Sequence, residues 1–111
     1  MKINAVMLSA MMLAAVLCGS ASAMDGEYEL VIKDHHFSPP SLAVPAGKKF
    51  KLVVKNEDAT AEEFESYDLN REKVVAGRSQ ITVFLGPLSA KTYKYFGDFH
   101  QDTAQGTLEA K

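Results

Sequence analysis

The sequence predicts an all-β protein, a Greek-key sandwich or barrel of about seven or eight strands. Short segments alternate between apolar and polar residues, which is the period of a strand with one buried face. Glycine, proline, asparagine and aspartate separate these segments at the intervals expected between the strands of a sandwich. After the first 23 residues, helical periodicity never extends beyond a turn or two.

Each predicted strand carries apolar side chains at alternate positions. The strands lie in 28–32, 50–54, 79–85, 93–95 and 107–110. One connection has a different pattern, because Thr60 and Glu63 have the spacing of a helix capping box. This pattern predicts a single helical turn over 60–64.

The first 23 residues have the pattern of a secretory signal peptide, with Lys2, an apolar run over 5–17 and small residues at 21–23. Cleavage after Ala23 would leave one domain, residues 24–111, and would remove Cys18, the sole cysteine. We therefore expect a protein that is exported to the bacterial periplasm.

The 11 basic and 14 acidic residues of the predicted mature region give a formal net charge of −3, which favours neither nucleic acid nor an anionic membrane as a partner. No segment after 23 is long and apolar enough to embed in a membrane.

Two segments of the predicted mature region resemble the cupredoxin superfamily. Residues 37–58, FSPPSLAVPAGKKFKLVVKNED, are similar to its proline-rich strand, PxG turn and strand ending in Asn. Residues 86–108, GPLSAKTYKYFGDFHQDTAQGTL, are similar to its closing strand, ligand loop and last strand. This sequence differs from the family pattern at two positions. Lys91 stands where a turn glycine is usual, and Gly97 stands near the position expected for the thiolate ligand. The resemblance implies a cupredoxin-like sandwich over 24–111.

The cupredoxin ligand loop is incomplete in this chain. In blue-copper proteins such a loop supplies a Cys, a His and usually a weakly bound Met. Here only His100 remains, and no Met follows Met24. The resemblance therefore implies a changed site without type 1 copper, and a blue-copper electron-transfer protein is the least favoured function.

Within the superfamily, the chain most resembles small periplasmic cupredoxin-like proteins and the EfeO-type cupredoxin domains that accompany bacterial iron-uptake permeases. The segment Glu63, Phe64, Glu65, followed by KVVAGRS, is similar to their carboxylate-bearing strand. The resemblance implies an accessory protein that binds iron or copper. It would hand metal or electrons to a membrane iron permease or to periplasmic iron-uptake components.

Carboxylates occupy the region where a cupredoxin carries its first histidine ligand, near Glu62 or Glu63. Carboxylate oxygens favour iron or manganese, whereas imidazole also allows copper and zinc. Glu63, Glu65 and His100 form a coherent candidate metal site, because residues two apart on a strand share a face. Glu62 fits a surface residue better, although a register shift of one residue would exchange it with Glu63.

Four further residues are candidate ligands. Asp98 and Asp102 flank His100, either as oxygen ligands or as groups that orient its imidazole. His35 and His36 are adjacent, so in a strand only one of them would face a given site.

Catalytic signatures are missing from the sequence. It has no Ser/His/Asp arrangement, phosphate loop or mature Cys nucleophile, so we do not expect an enzyme, with metal-dependent ferrous oxidation left open. The alternative function is a metal-free β-sandwich interaction module of an envelope complex, which the incomplete ligand set favours.

Overall fold

The computed structural model describes residues 26–111, which form nine β-strands and one short 3-10 turn. The strands are β1 (Glu27–Lys33), β2 (His36–Ser38), β3 (Ser41–Val44), β4 (Phe50–Asn56), β5 (Glu62–Ser66), β6 (Arg71–Val75), β7 (Ser79–Leu85), β8 (Lys91–Gly97) and β9 (Gln105–Ala110). The predicted all-β sandwich is confirmed, with nine strands rather than seven or eight. The predicted signal peptide and Cys18 lie outside the described residues. Over 26–111, no helix has the length and apolar character needed to cross a membrane.

The strands form two sheets, ordered β2-β1-β4-β7 and β3-β9-β8-β5-β6. The pairs β1–β4 and β3–β9 are parallel, and the other pairs are antiparallel. The pairs β1/β2, β5/β6 and β8/β9 each lie within one sheet, whereas the other strands that are neighbours in sequence, such as β4 and β5, lie in different sheets. The chain therefore crosses repeatedly between the two layers, and the loops at one end bring distant residues together.

An aromatic cluster joins the two sheets. Phe37 of β2 meets Phe64 of β5 and Tyr95 of β8 edge-on, with ring centroids 6.3 and 5.1 Å away. Phe64 and Tyr95 are almost completely buried. Burial of each such side chain contributes about 1.5–3 kcal/mol to stability. Because Glu62 and Phe64 share the inner face of β5, this cluster adjoins the end of the sandwich where Glu62 lies.

The predicted helical turn over 60–64 is wrong. Residues Glu62–Ser66 form β5, which pairs with β6 on one side and with β8 on the other. Burial alternates along the strand, with Phe64 inside and Glu63 more exposed, so the period is two. The ladder hydrogen bonds and the burial of Phe64 outweigh the local capping pattern.

The two tyrosines of β8 differ in the hydrogen bonding of their hydroxyl groups. The hydroxyl of Tyr93 donates to the carbonyl oxygen of Ser89 at 2.9 Å. The hydroxyl of Tyr95 has no hydrogen-bond partner within residues 26–111. Burial also raises the pKa of Tyr95, because the charged form would be poorly solvated.

We predict different effects for the two Tyr→Phe substitutions on the free energy of unfolding. Tyr93→Phe should cost about 1 kcal/mol because it removes a satisfied hydrogen bond. Tyr95→Phe should range from no change to a gain of about 1 kcal/mol because it removes an unpaired buried hydroxyl. Urea unfolding measures both, and an equal loss in the two variants would contradict the assignment.

Candidate metal centre

Glu62 is a buried carboxylate at the start of β5, with 1% of its surface exposed. Its Oε1 accepts hydrogen bonds from the backbone N–H groups of Phe99 at 2.8 Å and Glu63 at 3.0 Å. Its Oε2 lies 2.6 Å from Nδ1 of His100. Both oxygens therefore have partners, as a buried carboxylate requires.

His100 is positioned by the tight turn that follows β8. The strand ends at Gly97, and Asp98–His100 form the 3-10 turn. The carbonyl oxygen of His100 accepts the N–H of Ala104 at 2.8 Å, and Gly97 donates to the carbonyl of Ala104 at the same distance. These bonds close the loop and leave the half-buried imidazole against Glu62.

Gly97 leaves the space that the Glu62 side chain fills. A Cβ at this position would lie 2.6 Å from Cδ of Glu62 and 2.7 Å from Cβ of Ala104. Both distances are far inside van der Waals contact. In this arrangement there is no room for a cysteine side chain at 97, and the carboxylate occupies the volume that a thiolate would need.

His35 reaches the same site from the other sheet. Asp34 and His35 form a two-residue loop between β1 and β2, since Lys33 pairs with His36. Both loop residues have positive φ, 52° and 61°, as in a type I′ turn. The His35 ring stacks on the His100 ring, with centroids 3.6 Å apart and planes 12° apart.

This loop conformation is costly for the residues that adopt it. Type I′ turns favour Asn-Gly because a side chain in the left-handed region costs about 1–2 kcal/mol per residue. The Asp58 carboxylate offsets this cost by accepting the N–H groups of Asp34 at 2.7 Å and His35 at 3.0 Å. Partial burial alone would raise the pKa of Asp58, but these hydrogen bonds and the nearby imidazoles hold it below its usual range.

His35, Glu62 and His100 together supply two imidazoles and one carboxylate. One ligand atom from each lies within 4.8 Å of the others. This donor set matches that of non-haem iron(II) sites, and imidazole nitrogen also suits copper and zinc. The residues therefore fit a metal ion by their chemistry. Because the two rings are nearly parallel, their in-plane lone pairs do not converge, and binding one ion requires a ring to tilt.

A second group of carboxylates lies on the outer face of β5. Ligand atoms of Glu63, Glu65 and Glu72 lie within 4.8 Å of one another. Loss of hydration together with the neighbouring carboxylates of Glu72 and Asp98 raises the pKa of Glu63 to about 7. Loss of hydration, Glu72 and Asp98 also raise the pKa of Glu65. The outer carboxylate group therefore keeps a proton to higher pH than an isolated glutamate would.

The structure places the predicted site residues in two separate groups. His100 contacts Glu62, whereas Glu63 and Glu65 point to the opposite face of β5 and group with Glu72. The sequence pattern had paired His100 with Glu63 and Glu65. The one-residue difference in register decides between these arrangements, because adjacent strand residues face opposite sides.

The other candidates divide in the same way. His35 lies with Glu62 and His100 in what we call the inner group or inner site. His36 is exposed, with Nδ1 2.8 Å from the carbonyl oxygen of Asp34. Asp98 lies near Glu63 and accepts a hydrogen bond from the Gln101 amide at 2.7 Å. Asp102 is exposed in the turn after His100.

Sequence reasoning missed Glu62 and Asp58 as members of the inner group. For Glu62 a signal was present, because Phe64 marks the buried face of any strand over 62–66 and Glu62 shares its parity. Asp58 carried no such signal. Its role depends on a hairpin that is distant in sequence.

A family model described as "Cupredoxin-like domain" matches residues 5–110 of the chain. This chain belongs to the cupredoxin-like domain family. The family match agrees with the observed two-sheet, all-β fold.

Among similar proteins, an uncharacterized protein of Rickettsia prowazekii (strain Madrid E) is 51% identical over 82 residues, which is 74% of this cupredoxin and 66% of that protein. The chain thus spans just under two thirds of that relative. Auracyanin A, a "blue" copper protein of Chloroflexus aurantiacus, matches with a TM-score of 0.64 at 17% identity, over 77% of this chain and 98% of that one. Amicyanin of Paracoccus versutus matches with a TM-score of 0.62 at 13% identity, over 77% and 81%. At such identities the two structures establish the fold alone.

We predict that Gly97→Ala destabilises the cupredoxin by about 1–3 kcal/mol, the usual cost of overpacking a filled site. The new methyl group would collide with Glu62 and Ala104, and the backbone of β8 limits how far it can move. Urea unfolding measures the loss, and the His100 ring signals in NMR report whether Glu62 is displaced. A variant as stable as the parent, with unchanged ring signals, would rule out the tight packing.

A pH-dependent effect is expected at Glu63. Its pKa is higher in the folded protein than in the unfolded chain, so the wild-type protein loses stability as pH rises from about 4.5 to about 7. Glu63→Gln should therefore raise the free energy of unfolding at pH 8 and have little effect at pH 4.5. Unfolding in chelator-treated buffer at both pH values tests this.

Glu27→Gln, at an exposed position on β1, is the matched control for this experiment. It should leave the pH profile of stability unchanged. If Glu63→Gln follows the wild-type profile between pH 4.5 and pH 8, the pKa of Glu63 is not raised in the folded protein.

Proposed function

We propose that this cupredoxin is a periplasmic metal-binding protein of bacterial iron uptake. It binds an iron or copper ion through Glu62, His100 and His35, and it passes metal or electrons to a membrane iron permease or to other periplasmic components. The contact between the buried Glu62 carboxylate and the His100 imidazole is the observation that carries this proposal.

The inner site has features that suit a resident metal ion. Glu62 is a buried carboxylate, and two partly exposed imidazoles lie within reach. The half-buried ring of His100 leaves one side accessible to an incoming ion. A bound iron or copper ion would supply a one-electron change of oxidation state. The protein's part is to provide oxygen and nitrogen ligands and to exclude thiolate through the packing at Gly97.

The outer carboxylate group gives the iron-uptake proposal a second component. Glu63, Glu65 and Glu72 offer only oxygen ligands, which suit hard cations better than copper. Because β5 carries Glu62 on one face and Glu63 and Glu65 on the other, a single strand separates the two groups. In the proposal the outer group receives iron as cargo, and the inner group holds the resident metal.

A metal-free interaction module is the competing function, and one observation favours it. Glu62 is already satisfied by three protein donors, so its burial needs no ion. In that case the carboxylate serves to fasten the 98–100 turn to β5. The exposed aromatic side chain of Phe99, beside His100, would then belong to a docking surface.

Metal titration by calorimetry distinguishes the two functions, using Cu(II), Fe(III) and anaerobic Fe(II) with the purified protein. We expect one tight equivalent that is lost or weakened at least about tenfold, or about 1.4 kcal/mol, in Glu62→Gln and in His100→Ala. Glu65→Ala should spare this equivalent and weaken a second, iron-selective one. An intense blue band in the copper-loaded protein would contradict the thiolate-free ligand set.

His36→Ala is the matched control for His35→Ala, because the two histidines are adjacent and only His35 faces the site. It should leave metal affinity unchanged. If no metal binds to the wild-type protein, the interaction module becomes the better function. The iron-uptake component is tested by radiolabelled iron uptake in cells that lack the protein, and equal uptake with and without it would refute that component.

A further inference from the structure

Asp58 connects the inner site to the rest of the sandwich although it is not one of the three metal-site donors. Its carboxylate accepts the backbone N–H groups of Asp34 and His35. One of its oxygens also lies 3.5 Å from Nδ1 of His35. All three contacts act on the loop that carries His35.

Asp58 is itself held in place by hydrogen bonds of its backbone to Asn56 and Arg78. Its N–H donates to Oδ1 of Asn56 at 3.0 Å, and its carbonyl oxygen accepts the N–H of Arg78 at 2.8 Å. The side-chain amide of buried Asn56 donates to carbonyl oxygens in two neighbouring loops, those of Thr60 and Ala76 among them. The carboxylate is therefore a fixed point to which the β1–β2 loop is attached.

Asp34 and His35 are poorly suited to the backbone conformation of this loop. Both central positions have positive φ, and the second holds His35 where glycine would be least strained. Strain of this kind persists only where the surroundings enforce it, and it is concentrated at functional positions. Here the enforcing group is Asp58, and the side chain placed by the strained loop is the one that stacks on His100.

We propose that Asp58 is the positioning residue of the inner site, holding the strained Asp34–His35 loop so that the His35 imidazole lies against His100. Its importance for metal binding rests on the proposed function, whereas the positioning itself is a property of the metal-free protein. Without Asp58 the loop would relax, and His35 would leave the site. Glu62 and His100 would keep their contact, because Glu62 lies in β5 and His100 lies in the turn that directly follows β8, a strand of the same sheet.

The first test is NMR of the metal-free protein with chelator present. In the wild type we expect nuclear Overhauser contacts between the ring protons of His35 and His100. Asp58→Ala should abolish these contacts while leaving the His100–Glu62 pair in place. Asp58→Asn keeps one oxygen acceptor and should weaken the contacts, which preserves the test if the alanine variant does not fold. Unchanged contacts in a folded Asp58→Ala protein would overturn the proposal.

Asp68→Ala is the matched control, because Asp68, in the turn between β5 and β6, also accepts a backbone N–H, that of Lys94 in β8 at 2.9 Å. It should lower stability without altering the His35 and His100 ring signals. If Asp68→Ala and Asp58→Ala disturbed those signals equally, the effect would be general loosening of the fold, and the positioning role would be refuted.

A double-mutant cycle with Cu(II) then tests the link to metal binding. Asp58→Ala should weaken affinity about 10- to 100-fold in the wild-type background and leave it unchanged in the His35→Ala background. An equal loss in both backgrounds would show that Asp58 does not act through His35. If the wild type binds no metal, the proposed function fails, and the NMR result alone decides the role of Asp58.

Discussion

The burial of one carboxylate, that of Glu62, organises the functional end of this cupredoxin. A carboxyl group with 1% exposure is tolerated only when protein partners replace water, and here two backbone N–H groups and one imidazole do so. These bonds determine how the turn after β8 approaches β5. The absence of a side chain at Gly97 is the steric condition for this arrangement, since any Cβ there would occupy the same volume.

The Glu62 carboxylate also explains how a cupredoxin scaffold persists without a thiolate. The loop that would carry a cysteine keeps its shape because Gly97 donates to the carbonyl of Ala104 and His100 retains its place at the end of the turn. The space that a thiolate would need is filled by a carboxylate from another strand, not by a side chain of the loop itself. A carboxylate offers hard oxygen atoms where a cysteine would offer soft sulfur.

Most of the sandwich could be predicted from the sequence, because its long strands have a clear apolar alternation. The alternation over Tyr28–Ile32 and in β7 placed the right faces inward. The short strands were harder, since three to five residues give little periodicity. At β5 a local capping pattern suggested a helical turn, and only pairing with β6 and β8 makes the segment a strand.

The candidate site was predictable in its residue types but not in its grouping. His100, Glu63 and Glu65 were predicted from the ligand loop and the acidic segment, whereas Glu62 was expected at the surface. Which glutamate meets the histidine depends on strand register, which a single sequence specifies weakly for adjacent identical residues. The part played by Asp58 depends on a contact between loops far apart in the chain, and no local pattern encodes it.

The two stacked histidines lie in loops that follow strands of different sheets. His35 is carried by the four-stranded layer, while His100 and Glu62 are carried by the five-stranded layer. An ion held by all three would therefore cross-link the two layers at one end of the molecule. Such a cross-link ties together three distant points of the chain and would favour the folded state over the unfolded one. Resistance to unfolding would then depend on how much of the protein is loaded with metal.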